Sequence, residues 1–146
     1  MPDMRDFLAL LQQHSVDFVI IGAFALARFG IPRGTGDLDI FINPTTENAQ
    51  KVMEVLHDFG LSSLQLTSQD ILSGDIIQLG FPPARIDLLT QLTGVTTQEI
   101  LQSRTPGKLG PFSVDFLGKS VFLKNKAAVG RAKDLADIEA IRSLEK

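Results

Sequence analysis

The run Asp37-Leu38-Asp39-Ile40-Phe41-Ile42 constrains this chain more than any other segment. Its polar and apolar residues alternate at the start, which is the signature of a half-buried strand. Successive side chains of a strand point to opposite faces. Asp37 and Asp39 therefore share one face, while Leu38, Ile40 and Ile42 share the other, toward a core. Two carboxylates held side by side repel, and the commonest compensation at this spacing is a divalent cation held by oxygen ligands. Just upstream, the apolar run Val19-Ile20-Ile21 closes on Gly22-Ala23. A small-residue turn between strand and helix can receive a phosphate on backbone N–H groups. Metal and phosphate together point to phosphoryl or nucleotidyl transfer. The plainer alternative puts both aspartates on the solvated face of a half-exposed strand.

A chain of 146 residues suggests one domain spanning 1–146. At 44% hydrophobic and 21% charged residues, it has the makings of an ordinary globular core. The absence of cysteine excludes disulfides, cysteine–zinc sites and thiol catalysis, and fits a reducing, cytoplasmic compartment. No signal peptide is visible, and no apolar run approaches the roughly 20 residues that cross a membrane. The net charge of −3 is uneven, because residues 119–146 carry 7 Lys/Arg against 4 Asp/Glu. A basic end beside an acidic body suits a polyanion such as a triphosphate or an RNA end, and equally suits two solvated helices.

The pattern predicts a mixture of strands and helices, α/β or α+β. Helices are expected over Met4–His14, Phe24–Phe29, from Pro44 and Thr45-Thr46 to about Phe59, and over Thr97–Ser103. Two more are expected at the C-terminus, from about Lys119 to Val129 and from Lys133 to Leu144. The last places Leu135, Ile138, Ile141 and Leu144 on one stripe. Strands are expected over Phe18–Ile21, Leu38–Ile42, Leu61–Leu66, Asp75–Leu79, Arg85–Leu89 and Phe112–Phe116. Residues Pro106–Pro111 read as a turn-rich loop. Ten Phe with no Trp or Tyr read as core filling. His14 and His57 are isolated near helix ends and are assigned solvent or capping roles.

Asp87 lies between Ile86 and Leu88, so it faces away from the core as Asp37 and Asp39 do. On a neighbouring strand it would bring a third carboxylate to the same face. That carboxylate would ligate a metal or accept a proton from an attacking hydroxyl. The competing explanation is an ion pair with Arg85, which shares its face. Arg28, Arg33 and Thr35 lie close in sequence to the acidic pair. An arginine there would bind a triphosphate or simply neutralise an aspartate. Lys126 sits near a helix end, and Lys133 and Asp134 begin the next helix, positions where charges are commonly structural.

Taken together, Gly22-Ala23, Arg33-x-Thr35-x-Asp37-Leu38-Asp39 and Arg85-Ile86-Asp87-Leu88-Leu89 resemble the nucleotidyltransferase superfamily with the polymerase-β-like fold. The segment Asn125-Lys126 to Gly130-Arg131-Ala132-Lys133-Asp134-Leu135-Ala136-Asp137-Ile138 is similar to small stand-alone members related to abortive-infection, toxin-type nucleotidyltransferases. The resemblance implies a mixed sheet with helices packed mainly on one side and a C-terminal helical pair. It implies Asp37, Asp39 and Asp87 as ligands of Mg²⁺ or Mn²⁺ and as the catalytic carboxylates. It also implies nucleotide contacts at Gly22, Ala23, Arg33, Thr35, Lys126, Lys133 and Asp134. The activity implied is transfer of an NMP from an NTP to an acceptor hydroxyl on tRNA, protein or a small molecule, with a cognate antitoxin as a candidate partner. A catalytically silent nucleotide-binding module or a toxin–antitoxin interaction module is the alternative. One departure stands out. The family usually has Gly-Gly or Gly-Ser where this chain has Gly22-Ala23, so the N–H is kept but no hydroxyl is offered.

Overall fold

The computed structural model describes residues 4–31, 36–80 and 85–145. Its centre is a six-stranded sheet in the order β3-β4-β2-β1-β6-β5. The strands are β1 (Phe18–Ile21), β2 (Leu38–Ile42), β3 (Ile77–Leu79), β4 (Ile86–Leu89), β5 (Thr105–Leu109) and β6 (Phe112–Phe116). β2 pairs antiparallel with β1 and parallel with β4, so the sheet is mixed. β1 is a central strand buried along its whole length, as its unbroken Phe-Val-Ile-Ile run requires.

Seven α-helices occur among the described residues: α1 (Met4–Gln13), α2 (Gly22–Arg28), α3 (Thr46–Asp58), α4 (Ser68–Leu72), α5 (Thr97–Gln102), α6 (Lys119–Val129) and α7 (Ala132–Leu144). None is long and apolar enough to cross a membrane. α1 buries Phe7, Leu8 and Leu11 from one stripe. α3 starts at Thr45, whose hydroxyl accepts from Asn48 N. α6 stops at Gly130, which takes φ +71°. One continuous apolar cluster joins the sheet to α1, α2, α3 and α6. Within it the Phe29 and Phe122 rings meet edge to face at 5.2 Å. That contact docks α6 beside the end of α2 and so carries the C-terminal helical pair to the β1–α2 turn.

Four expectations are corrected. Residues Leu61–Leu66 hold a short 3-10 turn over Ser62–Leu64, not a strand. The stretch from Pro106 is not a loop, because Thr105–Leu109 pairs with β6 at the sheet edge, where a proline is tolerated. Helix α2 begins at Gly22 itself, with no gap after β1. Leu135 and Leu144 are 53% and 58% exposed, so the buried stripe of α7 is instead Asp134, Asp137, Ile138 and Ile141. His57 does fill a helix-end role, at 2.7 Å from Ser62 Oγ. His14 instead clasps α1 to α3, at 2.7 Å from Asp58 Oδ2 and 3.2 Å from Glu54 Oε2.

Candidate active site

The two-residue spacing of Asp37 and Asp39 puts them on one side of β2, and the sheet register fixes their neighbours. Asp39 stands opposite Ile21 on β1 and opposite Asp87 on β4. The third carboxylate is therefore on the adjacent strand, level with the second. Arg85 N–H groups complete the cluster. Its Nε donates to Asp87 Oδ1 at 2.8 Å, and its Nη2 donates to Asp87 Oδ2 at 3.1 Å and to Asp37 Oδ2 at 3.3 Å. The Arg85 carbonyl also accepts from Leu38 N at 2.9 Å, which locks the starts of β2 and β4 together.

Asp39 gains least from this arginine. Its carboxyl is raised to about 6, first by burial, then by the charge of Asp87 and a hydrogen bond with it, then by Asp37, with Arg85 opposing. Among the described residues, no three acidic or histidine side chains stand ready as they are to enclose one ion. The Arg85 guanidinium hydrogen-bonds both Asp37 and Asp87. The donor set is nonetheless all carboxylate oxygen, which suits a hard divalent ion such as Mg²⁺ or Mn²⁺. Its excess negative charge, expressed at Asp39, is what such an ion would offset. Asp37, Asp39 and Asp87 are the residues that could hold it.

Gly22 lies against this cluster. It takes φ +67°, and a Cβ built there would collide with Asp39 Oδ2. The close approach that only glycine permits here is to the protein's own carboxylate. Ala23 follows in the first turn of α2 and lines the same pocket.

The opposite wall comes from α6 and α7. Asp134 is fully buried. It accepts from Arg131 Nε at 2.7 Å, Arg131 N at 3.2 Å and Lys126 Nζ at 3.1 Å. Arg131 above all, and Lys126 with it, hold the Asp134 carboxyl well below the usual carboxylate range, against the opposing effect of burial. Lys126 Nζ also reaches Asp137 Oδ2 at 3.5 Å, and Asp137 is as buried as Asp134. The ammonium lies 5.4 Å from the centre of the Phe122 ring.

These two walls enclose a pocket of about 250 Å³. Gly22, Ala23, Asp37 and Asp39 line one side, and Phe122, Lys126, Arg131, Lys133 and Asp137 line the other. Lys133 is exposed and makes no ion pair with a described residue. A larger groove of about 800 Å³ lies around Asp17, Phe18 and Asp115, at the opposite end of β1. It lacks a buried charged cluster, so size does not locate the chemistry.

Of the residues singled out from sequence, Gly22, Ala23, Asp37, Asp39, Lys126 and Lys133 meet at this pocket. Asp87 joins through Asp39, and Asp134 lies behind Lys126. Arg33 and Thr35 lie outside the described residues. Sequence reasoning quoted Arg131 and Asp137 only within the C-terminal motif, gave neither a role, and missed Phe122. The available signals were spacing: Asp137 is three residues after Asp134, and Phe122 four before Lys126, so each pair shares a helix face.

No protein-family model and no curated protein sequence matches the chain. Solved structures do. One is a Thermotoga maritima protein assigned as a nucleotidyltransferase, with TM-score 0.56 and 12% identity over 97% of this chain and 88% of that one. Another is a lincosamide antibiotic adenylyltransferase with lincomycin bound, with TM-score 0.56 and 14% identity over 97% of both chains. The chain has a nucleotidyltransferase fold. At these identities the likeness is one of fold, and the chemistry of this nucleotidyltransferase-fold protein must be argued from its own pocket.

Proposed function

We propose that this protein is a divalent-metal-dependent nucleotidyltransferase, moving an NMP from an NTP to an acceptor hydroxyl within a single domain. The observation that carries this reading is the opposition, across one pocket, of Asp37 and Asp39, with Asp87 level behind Asp39, and the basic α6–α7 wall, where Lys126 and Arg131 are paired with buried aspartates and Lys133 stands exposed. One wall suits a metal ion and the other suits a triphosphate. Asp37, Asp39 and Asp87 would hold Mg²⁺ or Mn²⁺. When bound, such an ion would offset the negative charge that develops on the phosphates during transfer.

The chain's own residues do the rest. Lys133 grips the triphosphate, and the backbone at Gly22 and Ala23 borders it. Arg33 and Thr35 are assigned to the same nucleotide. Lys126 with Asp134 sets the position of the cationic wall. The acceptor oxygen attacks the α-phosphorus, the bond to the bridging oxygen breaks and pyrophosphate leaves. The acceptor's proton passes to the Asp87 carboxylate. Positioning and charge neutralisation supply most of the acceleration.

The acceptor is a hydroxyl on tRNA, on a protein or on a small molecule. The fold shared with a lincosamide adenylyltransferase keeps the small-molecule class in the set, and the toxin-type resemblance favours the macromolecules. The test is incubation with Mg²⁺ and each α-labelled NTP, presenting tRNA, a cell extract and a panel of small hydroxylated compounds, for the wild type and Asp39→Asn. Label on one acceptor class that disappears in Asp39→Asn supports the proposal and names the acceptor. Transfer that survives the substitution, or no transfer with any acceptor, overturns it. A catalytically silent module would bind nucleotide and transfer nothing. An interaction module would instead co-purify with a stable antitoxin-like partner, with or without Asp39.

A further inference from the structure

An ordinary structural ion pair joins one cation to one anion. Arg85 instead spans two of the three carboxylates at the ends of β2 and β4. Its fork engages both oxygens of Asp87, at 2.8 and 3.1 Å, and one oxygen of Asp37 at 3.3 Å. The two attachments differ in kind. The bidentate contact to Asp87 is the strong, directional one, while the single longer bond to Asp37 is the weaker. Arg85 is also placed by main chain as well as side chain, since its carbonyl accepts from Leu38 N at 2.9 Å. It brings one positive charge to a cluster of three acidic groups, so it tempers their repulsion without cancelling it.

We propose that Arg85 is a resident counter-ion that holds Asp37 and Asp87 in place until a divalent ion binds, then yields its Asp37 bond and competes with that ion for the carboxylates. The inference rests on the reading of Asp37, Asp39 and Asp87 as metal ligands. Arg85 is on this account a positioning residue. It keeps the like charges of β2 and β4 together before an ion binds, and its residual charge weakens metal binding. Guanidinium charge, not guanidinium shape, is what sets the metal affinity.

The experiment measures Mn²⁺ binding to the full chain by calorimetry and by the loss of the free-ion magnetic resonance signal, at low ionic strength. Arg85→Gln removes the charge and is expected to bind Mn²⁺ roughly ten-fold more tightly than wild type, the scale for a unit charge beside a divalent ion in a largely aqueous setting. Arg85→Lys keeps the charge but loses the fork, and is expected within about two-fold of wild type on the same electrostatic argument. Mn²⁺ should accordingly raise the melting temperature of Arg85→Gln more than that of wild type.

A residue that merely shapes β4 gives the opposite pattern, with both substitutions weakening Mn²⁺ binding. Equal or weaker binding by Arg85→Gln overturns the proposal. Should Arg85→Gln not fold, Arg85→Lys decides, because a clear loss of affinity with the charge retained also overturns it. Asp39→Asn separates the two levels. Mn²⁺ binding that ignores Asp39→Asn overturns the metal-site reading itself. Asp39-dependent binding with no gain in Arg85→Gln overturns only the counter-ion.

Discussion

Asp39 and Asp87 face each other level across the parallel β2–β4 pair, so their like charges act on one another. The pair makes metal-free stability pH-dependent, with a definite sign. Asp39 is raised to about 6 in the folded protein, chiefly by burial and then by Asp87, above an unfolded value of 3.8. The folded state therefore binds this proton more tightly. Its stabilising contribution is complete below the unfolded value and is lost as pH rises through about 6. Asp39→Asn mimics the protonated form. Without divalent ions it should be more stable than wild type at pH 8, by about 1 kcal/mol once solvent screening is allowed for, and no more stable near pH 4. Thermal melts at both pH values, in chelator, check this. A constant difference at all pH values would contradict it.

Gly22 is the point where β1, α2 and the acidic cluster touch. Its φ of +67° is strained for any other residue, and an added methyl would meet the Asp39 carboxylate. Gly22→Ala should lose about 2 kcal/mol or more, from the left-handed backbone and from displacing Asp39. It should also weaken Mn²⁺ binding, because the displaced group is a proposed ligand. Ala23→Gly should do neither. Denaturant titration together with calorimetry measures both effects. A stable Gly22→Ala with unchanged Mn²⁺ affinity would contradict this account of the turn.

How much of this was legible beforehand depended on which physical signal each element carried. β2 was legible because Asp37 and Asp39 alternate with Leu38 and Ile40, so a period of two marked both the strand and its acidic side. The register that brings Asp87 opposite Asp39 is set by strand order, which alternation does not encode. β5 was hidden because Pro106 and Gly107 are poor strand formers, acceptable only at an edge. α7 was found, but its buried face was misplaced. Two of the residues that turn inward are Asp134 and Asp137, and hydrophobic periodicity cannot see a buried face made of charges. Their burial becomes intelligible only with Lys126 and Arg131 in place across the α6–α7 seam.

Asp134 predicts the opposite pH response from Asp39. Its folded carboxyl is held well below the usual range, by Arg131 first and Lys126 after it. The folded state therefore prefers the ionised form. The stability it contributes is present above the unfolded value of about 4 and is lost as pH falls below it. Asp134→Asn should be clearly less stable than wild type at pH 7, and the gap should narrow progressively below pH 4. Melts across that range test the sign, and a gap that widens in acid would contradict it.

Lys126 and Lys133 line the same pocket and should respond quite differently to removal. Lys126 lies between Asp134 and Asp137, both essentially inaccessible to solvent. Lys126→Ala leaves two buried carboxylates short of a counter-charge, a change expected to cost about 3 kcal/mol or more. Any loss of activity would then follow from a displaced α6–α7 wall. Lys133 is exposed, and no buried group depends on it. Lys133→Ala should leave stability within about 0.5 kcal/mol. Its effect should fall on nucleotide affinity, as a raised KM for the NTP or a weaker Kd, and should lessen as salt is added. Denaturant melts and nucleotide titrations of the two variants, side by side, separate the roles. If Lys133→Ala destabilises the fold as Lys126→Ala does, or leaves nucleotide affinity unchanged, the phosphate contact does not belong to Lys133.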